Sequence, residues 1–260
     1  MQAGQFIDKL IAEGRYSFVV GEALNVVGPT VVATRAALRR LRHKGELAMP
    51  YKGFFVIVPP EYRKSGCLPA SHFIPHLMEH LGQEYYAGLL SAAEYHGAAH
   101  QRPQVFQVIV SGNRPGIICG DVRIEFIARK NMDKVPVSDL KTPRGYLKIS
   151  TPAATAFDIV GYTHHAGGLD NVATILAELA EKIRSDELVT TAALSPIAWS
   201  QRLGYLLDLV GAEEKTGELA RYIDQRNVLP TPLVPSQPFK GVDQLKRWRI
   251  LVNAKVEVEI

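Results

Sequence analysis

A single long basic helix constrains the fold of this chain more than any other stretch. Residues 29–45 run Pro-Thr-Val-Val-Ala-Thr-Arg-Ala-Ala-Leu-Arg-Arg-Leu-Arg-His-Lys-Gly. The helix begins either with Pro29 in its first turn or with Thr30 as its N-cap, and Gly45 is a natural left-handed stop. At about 100° per residue, the arc predicted to be buried holds Val31, Thr34, Leu38 and Leu41. The opposite arc, small at its N-terminal end and cationic at its C-terminal end, holds Val32, Ala33, Ala36, Arg39, Arg40 and His43.

The elements on both sides of this helix predict a winged helix-turn-helix. An apolar stripe in residues 2–13 predicts a first helix, residues 15–20 form an extended run, and residues 21–28 form a short helix. After the basic helix, residues 46–50 and 53–58 are two extended runs separated by a turn signal. In this arrangement the second helix of the pair enters the major groove, and the hairpin is the wing, with Lys52 near its tip.

The charge distribution agrees with a nucleic-acid-binding function for this region. Residues 1–64 carry ten basic and five acidic side chains, whereas the net charge of the whole chain is only +4. Basic charge concentrated in one module is typical of nucleic-acid binding. An ordinary solvated helix face, or a winged helix used only for protein contacts, is the alternative.

Each residue type in this region has an expected role on DNA. Arginines reach phosphates and guanine edges, and small residues let a helix approach the bases closely. We expect Arg39, Arg40 and His43 to face the groove, and Arg35, Arg42, Lys44 and Lys52 to contact phosphates. The predicted DNA-binding residues are Thr30, Val32, Ala33, Arg35, Ala36, Arg39, Arg40, Arg42, His43, Lys44 and Lys52.

The rest of the chain predicts a second, larger domain, so the expected fold class is α+β. Residues 59–71 are rich in Pro, Ser and Gly, and residues 61–71 are predicted to be a linker between a DNA-binding domain at 1–60 and a mixed α/β domain at 72–260. From Ser71 the apolar spacing predicts a helix that continues to Ala92, and residues 104–110, 122–127 and 146–149 are predicted strands. No apolar run is long enough to span a membrane, no signal peptide precedes the first helix, and the expected compartment is the cytoplasm.

Outside the basic helix, the sequence contains only weak signals for catalytic or metal-binding residues. Cys67 and Cys119 are the only cysteines, too few for a disulfide framework or a zinc finger. Histidines four apart can share a metal on a helix, but no His-Glu-x-x-His motif accompanies them. These histidines are His72, His76 and His80, and then His96 and His100. Asp121 and Glu125 are candidate ligands of a metal-dependent nuclease, the competing interpretation, but Ile127 stands where the Glu-x-Lys pattern of a nuclease core has its lysine. We therefore expect no catalytic residue, metal or cofactor.

The order and spacing of several short motifs resemble the AbiEi family, the antitoxins of type IV (AbiE) toxin–antitoxin and phage-defence systems. The motifs are Ala37–Leu47, Tyr51–Phe55, Tyr85–Gly97, His100–Val108, Ser150–Asp158 and Arg202–Leu207. The resemblance implies an N-terminal domain that represses its own operon, by binding operator DNA with inverted repeats in its own promoter, and a C-terminal antitoxin domain. It also implies a nucleotidyltransferase-like toxin as functional partner, opposed without a tight complex, and no membrane partner. A protein that binds the toxin directly is a further alternative.

Overall fold

The structure is a computed structural model that describes residues 1–99 and 103–258. The helices are α1 (Ala3–Ala12), α2 (Val20–Val26), α3 (Val31–His43), α4 (Ile74–His80), α5 (Leu89–Tyr95), α6 (Pro152–Gly161), α7 (Leu169–Leu179), α8 (Ser185–Ala192), α9 (Ile197–Leu209) and α10 (Gly217–Asp224). The strands are β1 (Ser17–Val19), β2 (Leu47–Tyr51), β3 (Phe54–Ile57), β4 (Tyr86–Ala87), β5 (Phe106–Val110), β6 (Ile117–Cys119), β7 (Val122–Ala128), β8 (Val137–Thr142), β9 (Gly145–Ser150), β10 (Thr231–Pro232), β11 (Gln244–Leu245) and β12 (Ile250–Leu251). The predicted α+β class is confirmed.

The described part of the chain divides into two compact units. The first comprises Met1–Ala87, Gln104–Asp133 and Asp139–Lys148, and the second comprises the described residues of Gly88–Pro103, Lys134–Ser138 and Ile149–Ile260. This division differs from the boundary predicted at residues 61–71. That segment lies inside the first unit, and its Cys67 and Leu68 are fully buried.

The N-terminal part of the first unit is built around a small aromatic core. Strands β1, β3 and β2 form an antiparallel sheet in that order, in which Phe18 is paired with Phe55. The Phe18 ring stacks on Phe55 at 5.3 Å and meets Phe6 of α1 edge-on at 5.2 Å. Leu38 of α3 is buried in the same cluster. Burying side chains of this size stabilises a fold by about 1.5–3 kcal/mol each, so this core fixes α3 on the sheet.

A six-stranded sheet follows in the chain, in the order β6-β7-β5-β4-β9-β8. Strands β5 and β7 are parallel, with Phe106 opposite Ile124, whereas β4 and β6 run antiparallel to their neighbours β5 and β7. The strands predicted from sequence correspond to β5, β7 and β9. The edge strand β8 was not predicted because its sequence, Val-Ser-Asp-Leu-Lys-Thr, is mostly polar and exposed.

The predicted continuous helix from Ser71 to Ala92 is wrong. The chain leaves α4 at Gly82, which has a φ of +61°, and forms the short strand β4 before α5 begins. The apolar spacing continues across this break because both helices and the strand bury their apolar side chains. Spacing alone cannot detect a change of element that keeps the same residues buried.

The second unit centres on α6, whose residues 153–160 are all buried. The Thr151 side chain accepts a hydrogen bond from the Ala154 amide at 3.4 Å, and Pro152 occupies the first turn, where a helix tolerates proline. The C-terminal tail packs on α9. The Gln201 side-chain amide of that helix donates to the carbonyls of Leu229 and Arg249 at 3.1 Å each. No helix in the described residues has the length and apolar character needed to cross a membrane.

Candidate nucleic-acid interface

Helix α3 is held in place at its N-terminus by two threonines. Thr30 is the N-cap, and its hydroxyl accepts a hydrogen bond from the Ala33 amide at 3.2 Å. Thr34 is fully buried, and its hydroxyl donates to the carbonyl of Val27 in the preceding turn. This hydrogen bond joins the first turns of α3 to the turn that follows α2. Of the two starts predicted from sequence, the structure has the one with Thr30 as N-cap.

The buried side of α3 is narrower than predicted. Thr34 and Leu38 are buried and Leu41 is partly buried, but the Val31 side chain is 49% exposed. Val31 is wrongly predicted because it lies in the first turn, where the helix projects beyond the core. Val32 is 77% exposed, and Ala33 and Ala36 are partly buried.

The remaining surface of α3 is basic, and we call it the cationic face. It consists of Arg35, Arg39, Arg40, Arg42, His43 and, at the C-cap, Lys44, all of which are exposed. Within residues 1–99 and 103–258, none of these side chains forms an ion pair with a carboxylate. In α1, by contrast, Lys9 faces Glu13 at 3.9 Å. The positive charge of α3 is therefore available to an external anion.

The hairpin of β2 and β3 adds one more cation. Tyr51 pairs with Phe54, so Lys52 and Gly53 form a two-residue loop, with Lys52 exposed and Gly53 at a φ of +79°. Arg114, which the sequence did not single out, places its guanidinium 5.6 Å from the centre of the Tyr51 ring. Nothing local in the sequence indicates this contact, because the two residues belong to separate elements.

The predicted groove-facing residues lie on two sides of α3. Arg39, Arg42 and His43 line a cleft of about 480 Å³, which we call the arginine cleft and whose other wall includes Met49, Cys119 and Gly120. Another groove, of about 400 Å³, contains Ala33, Arg40 and Lys44 together with the first residues of the chain. Arg39 and Arg40 therefore line different surfaces of α3, and Lys52 lines neither the arginine cleft nor the second groove.

The histidines considered as metal ligands do not converge. His76 and His80 share α4, whereas His72 lies in a short 3₁₀ helix before it. The His80 ring stacks on Phe54 at 5.8 Å, and His100 lies outside the described residues. In the described part of the chain no group of three or more His, Cys, Asp or Glu side chains could hold a metal ion.

Of the two carboxylates considered for a nuclease, one directly precedes strand β7 and the other lies in the middle of that strand. Asp121 is in the turn between β6 and β7, and its amide donates to the Ser65 carbonyl at 2.8 Å. Glu125 lies on β7 and accepts a hydrogen bond from Gln107 at 3.5 Å. These contacts are those of residues in a sheet and do not assign either carboxylate to catalysis.

Comparisons with known proteins found similar solved structures and one matching family model. The crystal structure of the RV2827C protein from Mycobacterium tuberculosis matches with a TM-score of 0.69 at 17% identity, over 95% of this chain and 90% of that chain. An antigenic nucleotidyltransferase-like protein from Paracoccidioides brasiliensis matches with a TM-score of 0.34 at 11% identity, over 60% of this chain and 90% of that chain. No curated protein sequence matches the chain.

A family model covers a large part of the chain. Residues 86–209 match the AbiEi antitoxin C-terminal domain. This range contains three of the motifs that carry the resemblance, His100–Val108, Ser150–Asp158 and Arg202–Leu207, and all of a fourth, Tyr85–Gly97, except its first residue. The match identifies residues 86–209 as an AbiEi antitoxin C-terminal domain and supports the predicted resemblance to AbiEi antitoxins.

Proposed function

We propose that the chain is a DNA-binding transcriptional autorepressor as well as an antitoxin, acting in a bacterial type IV toxin–antitoxin system. The observation that carries the DNA-binding part is the cationic face of α3, which is exposed and unpaired with carboxylates among the described residues. The partner of that face is operator DNA with inverted repeats in the chain's own promoter. The expected toxin is nucleotidyltransferase-like and is opposed without a tight complex.

The N-terminal elements support a winged helix-turn-helix. Their order is α1, β1, α2, α3, β2, β3, and a four-residue turn, Val27–Thr30, joins α2 to α3. In this motif the second helix of the pair lies in the major groove and the hairpin contacts the neighbouring backbone. We therefore assign α3 to the groove and the Lys52 loop to a phosphate.

The positions on α3 support a division of roles. Arg39, Arg40 and His43 are assigned to the groove, and because Arg39 and Arg40 line different surfaces of α3, the one that meets a base edge is assigned to guanine. Arg35, Arg42 and Lys44 are assigned to phosphates, which fix register without carrying sequence information. The residues assigned to close approach to the groove are Thr30, Val32, Ala33 and Ala36. Val32, the most exposed of them, suits contact with a thymine methyl group.

The division of labour along the chain is also a proposal. Repression is assigned to residues 1–60 and antitoxicity to residues 72–260, which contain the matched AbiEi domain. The first compact unit includes segments on both sides of residues 61–71. Point variants in the full chain therefore test the division better than a truncation, which would cut through that unit.

The test uses a promoter reporter and toxin co-expression in the same cells. Arg39→Ala combined with Arg40→Ala should derepress the promoter while protection from the neighbouring toxin stays intact. Lys9→Ala, which removes an exposed cation from α1, is the matched control and should change neither readout. Repression that persists in the double variant, at equal protein level, would contradict the assignment of DNA binding to α3.

A further inference from the structure

Two segments of the first unit are in close backbone contact near the arginine cleft. The Asp121 amide donates to the carbonyl of Ser65 at 2.8 Å. A Cβ placed on Gly120 would lie 2.9 Å from the Cα of Gly66, so a side chain there would collide with the other segment. The glycines let the two backbones meet, and each glycine is followed or preceded by a cysteine.

This approach brings the chain's two cysteines together. Cys67 follows Gly66, and Cys119 precedes Gly120. Each thiol is the main influence on the pKa of the other, raising that of Cys67 and lowering that of Cys119. Both are free thiols in the structure.

The two thiols differ in access to solvent. Cys67 is fully buried, whereas Cys119 is partly exposed and lines the arginine cleft. A small reagent that enters the cleft therefore reaches Cys119 first. Cys67 is shielded from such a reagent by its burial and does not line the cleft.

The surroundings of Cys119 favour its thiolate. Its pKa is lowered chiefly by the hydrogen bond from Cys67, against a smaller opposing effect of burial, and further by the Met49 amide and the positive charge of Arg42. The pKa of Cys67 is raised, first because its thiol donates that hydrogen bond and then by burial. The thiolate is the reactive form of cysteine, and an accessible thiol of lowered pKa beside a second thiol is typical of redox-sensitive pairs.

We propose that Cys119 and Cys67 form a peroxide-oxidisable pair, in which Cys119 is the reacting thiol and Cys67 is the resolving thiol. The Cys119 thiolate attacks one oxygen of hydrogen peroxide, an S–O bond forms, the O–O bond breaks, and hydroxide leaves and is protonated to water. Cys119 is thereby oxidised to a sulfenic acid. The Cys67 sulfur loses its proton and attacks the Cys119 sulfur, and the S–O bond breaks with release of a second water. The net reaction converts two thiols and one peroxide into an intrachain disulfide and two waters.

Oxidation changes the surface beside α3. It replaces the ionisable Cys119 thiol, which lines the same cleft as Arg42, with a neutral disulfide, and it ties the segment at Gly66 to the end of β6. This site and its test do not depend on DNA binding, so the pair can be verified even if α3 contacts no nucleic acid.

The experiment treats the reduced full-length protein with hydrogen peroxide and follows free thiols and intact mass. Both thiols should be lost together, the mass should fall by that of two hydrogens, proteolysis should yield one peptide pair joined through Cys67 and Cys119, and dithiothreitol should reverse the change. Retention of both thiols, or disulfides only between chains, would overturn the proposal. Dimedone added during oxidation of the wild type should trap Cys119 and not Cys67, which tests the order of reaction without any substitution.

Three variants separate the roles. Cys67→Ser should accumulate the Cys119 sulfenic acid, and Cys119→Ser should slow the loss of the remaining thiol at least tenfold, because burial protects Cys67. Arg42→Gln should slow oxidation modestly, by roughly twofold, because loss of this nearby positive charge raises the pKa of the Cys119 thiol and lowers its thiolate fraction. Lys9→Gln, an exposed cation of the same unit outside the cleft, should have no effect. Equal oxidation rates for wild type and Cys119→Ser would show that Cys119 is not the reacting thiol.

Discussion

The contact between Gly204 and Trp248 provides a demanding test of the packing in the second unit. A Cβ on Gly204 would lie 2.1 Å from Cζ3 of the Trp248 ring, far inside the roughly 3.5–4.0 Å of ordinary contact between carbon atoms. The ring is fully buried, and its Nε1 donates to the Asp208 carboxylate at 2.7 Å. Asp208 also accepts a hydrogen bond from the Thr216 hydroxyl at 2.8 Å, so the carboxylate that binds the ring is itself held in place.

Gly204→Ala should therefore lower the free energy of unfolding by about 2–4 kcal/mol. Overpacking a core costs about 1–3 kcal/mol, and displacing the ring loses a hydrogen bond to a charged group worth about 1.5–3 kcal/mol. The better helix propensity of alanine offsets up to about 1 kcal/mol of this. Taking a urea m-value of about 3 kcal/mol/M for a chain of this size, the midpoint should fall by roughly 1 M.

Urea unfolding followed by circular dichroism measures this change, and a double-mutant cycle tests its cause. In a Trp248→Ala background the same glycine substitution should be close to neutral, because the colliding ring is gone. Gly217→Ala, at the start of α10 with nothing within 4 Å of the added carbon, is the matched control and should not destabilise. An equal loss in both backgrounds would refute the explanation by collision with the tryptophan ring.

Three further predictions concern a buried hydrogen bond, a buried histidine and the two candidate nuclease carboxylates. Thr34→Val should destabilise the protein by about 1–3 kcal/mol, measured by urea unfolding, because it leaves the buried Val27 carbonyl without its donor. Burial lowers the pKa of His96 from its ordinary value of 6.5. At a pH below 6.5 the unfolded chain therefore binds a proton at His96 more readily than the folded chain does, and the free energy of unfolding decreases as the pH falls. His96→Gln should flatten the pH dependence of unfolding between pH 7 and 5, and an unchanged slope would contradict this. Asp121→Ala with Glu125→Gln should leave toxin protection intact; metal-dependent nucleic-acid cleavage that this pair abolishes would instead establish a nuclease.

The sequence predicted best what depends on neighbours along the chain. The cap at Thr30, the stop at Gly45 with its φ of +71°, and the basic outer face of α3 are local features, and the structure contains all three. The strands with clear alternation were predicted for the same reason. The exposure of Val31 was missed because helical spacing reports direction around the axis and not how far the core extends along it.

Features that depend on distant residues could not be predicted. Nothing near Gly204 indicates that Trp248 packs on it, and nothing in the spacing of Cys67 and Cys119 indicates that their thiols meet. The buried state of Cys67 also shows why composition was a poor guide to residues 61–71. Pro, Ser and Gly are common in linkers, but here they form turns that pack against a sheet.

DNA binding by α3 is tested most directly by salt-titrated binding isotherms on the chain's own promoter and on a scrambled duplex. Arg35→Ala or Lys52→Ala should weaken binding to both duplexes and reduce the log–log salt slope by about 0.9 for each phosphate that the variant no longer neutralises. Arg39→Ala or Arg40→Ala, where the arginine meets a guanine edge, should cost roughly 1–3 kcal/mol on the promoter and much less on the scrambled duplex. If all four side chains can be removed without changing either isotherm, the cationic face is only a solvated surface and the protein does not bind DNA through α3.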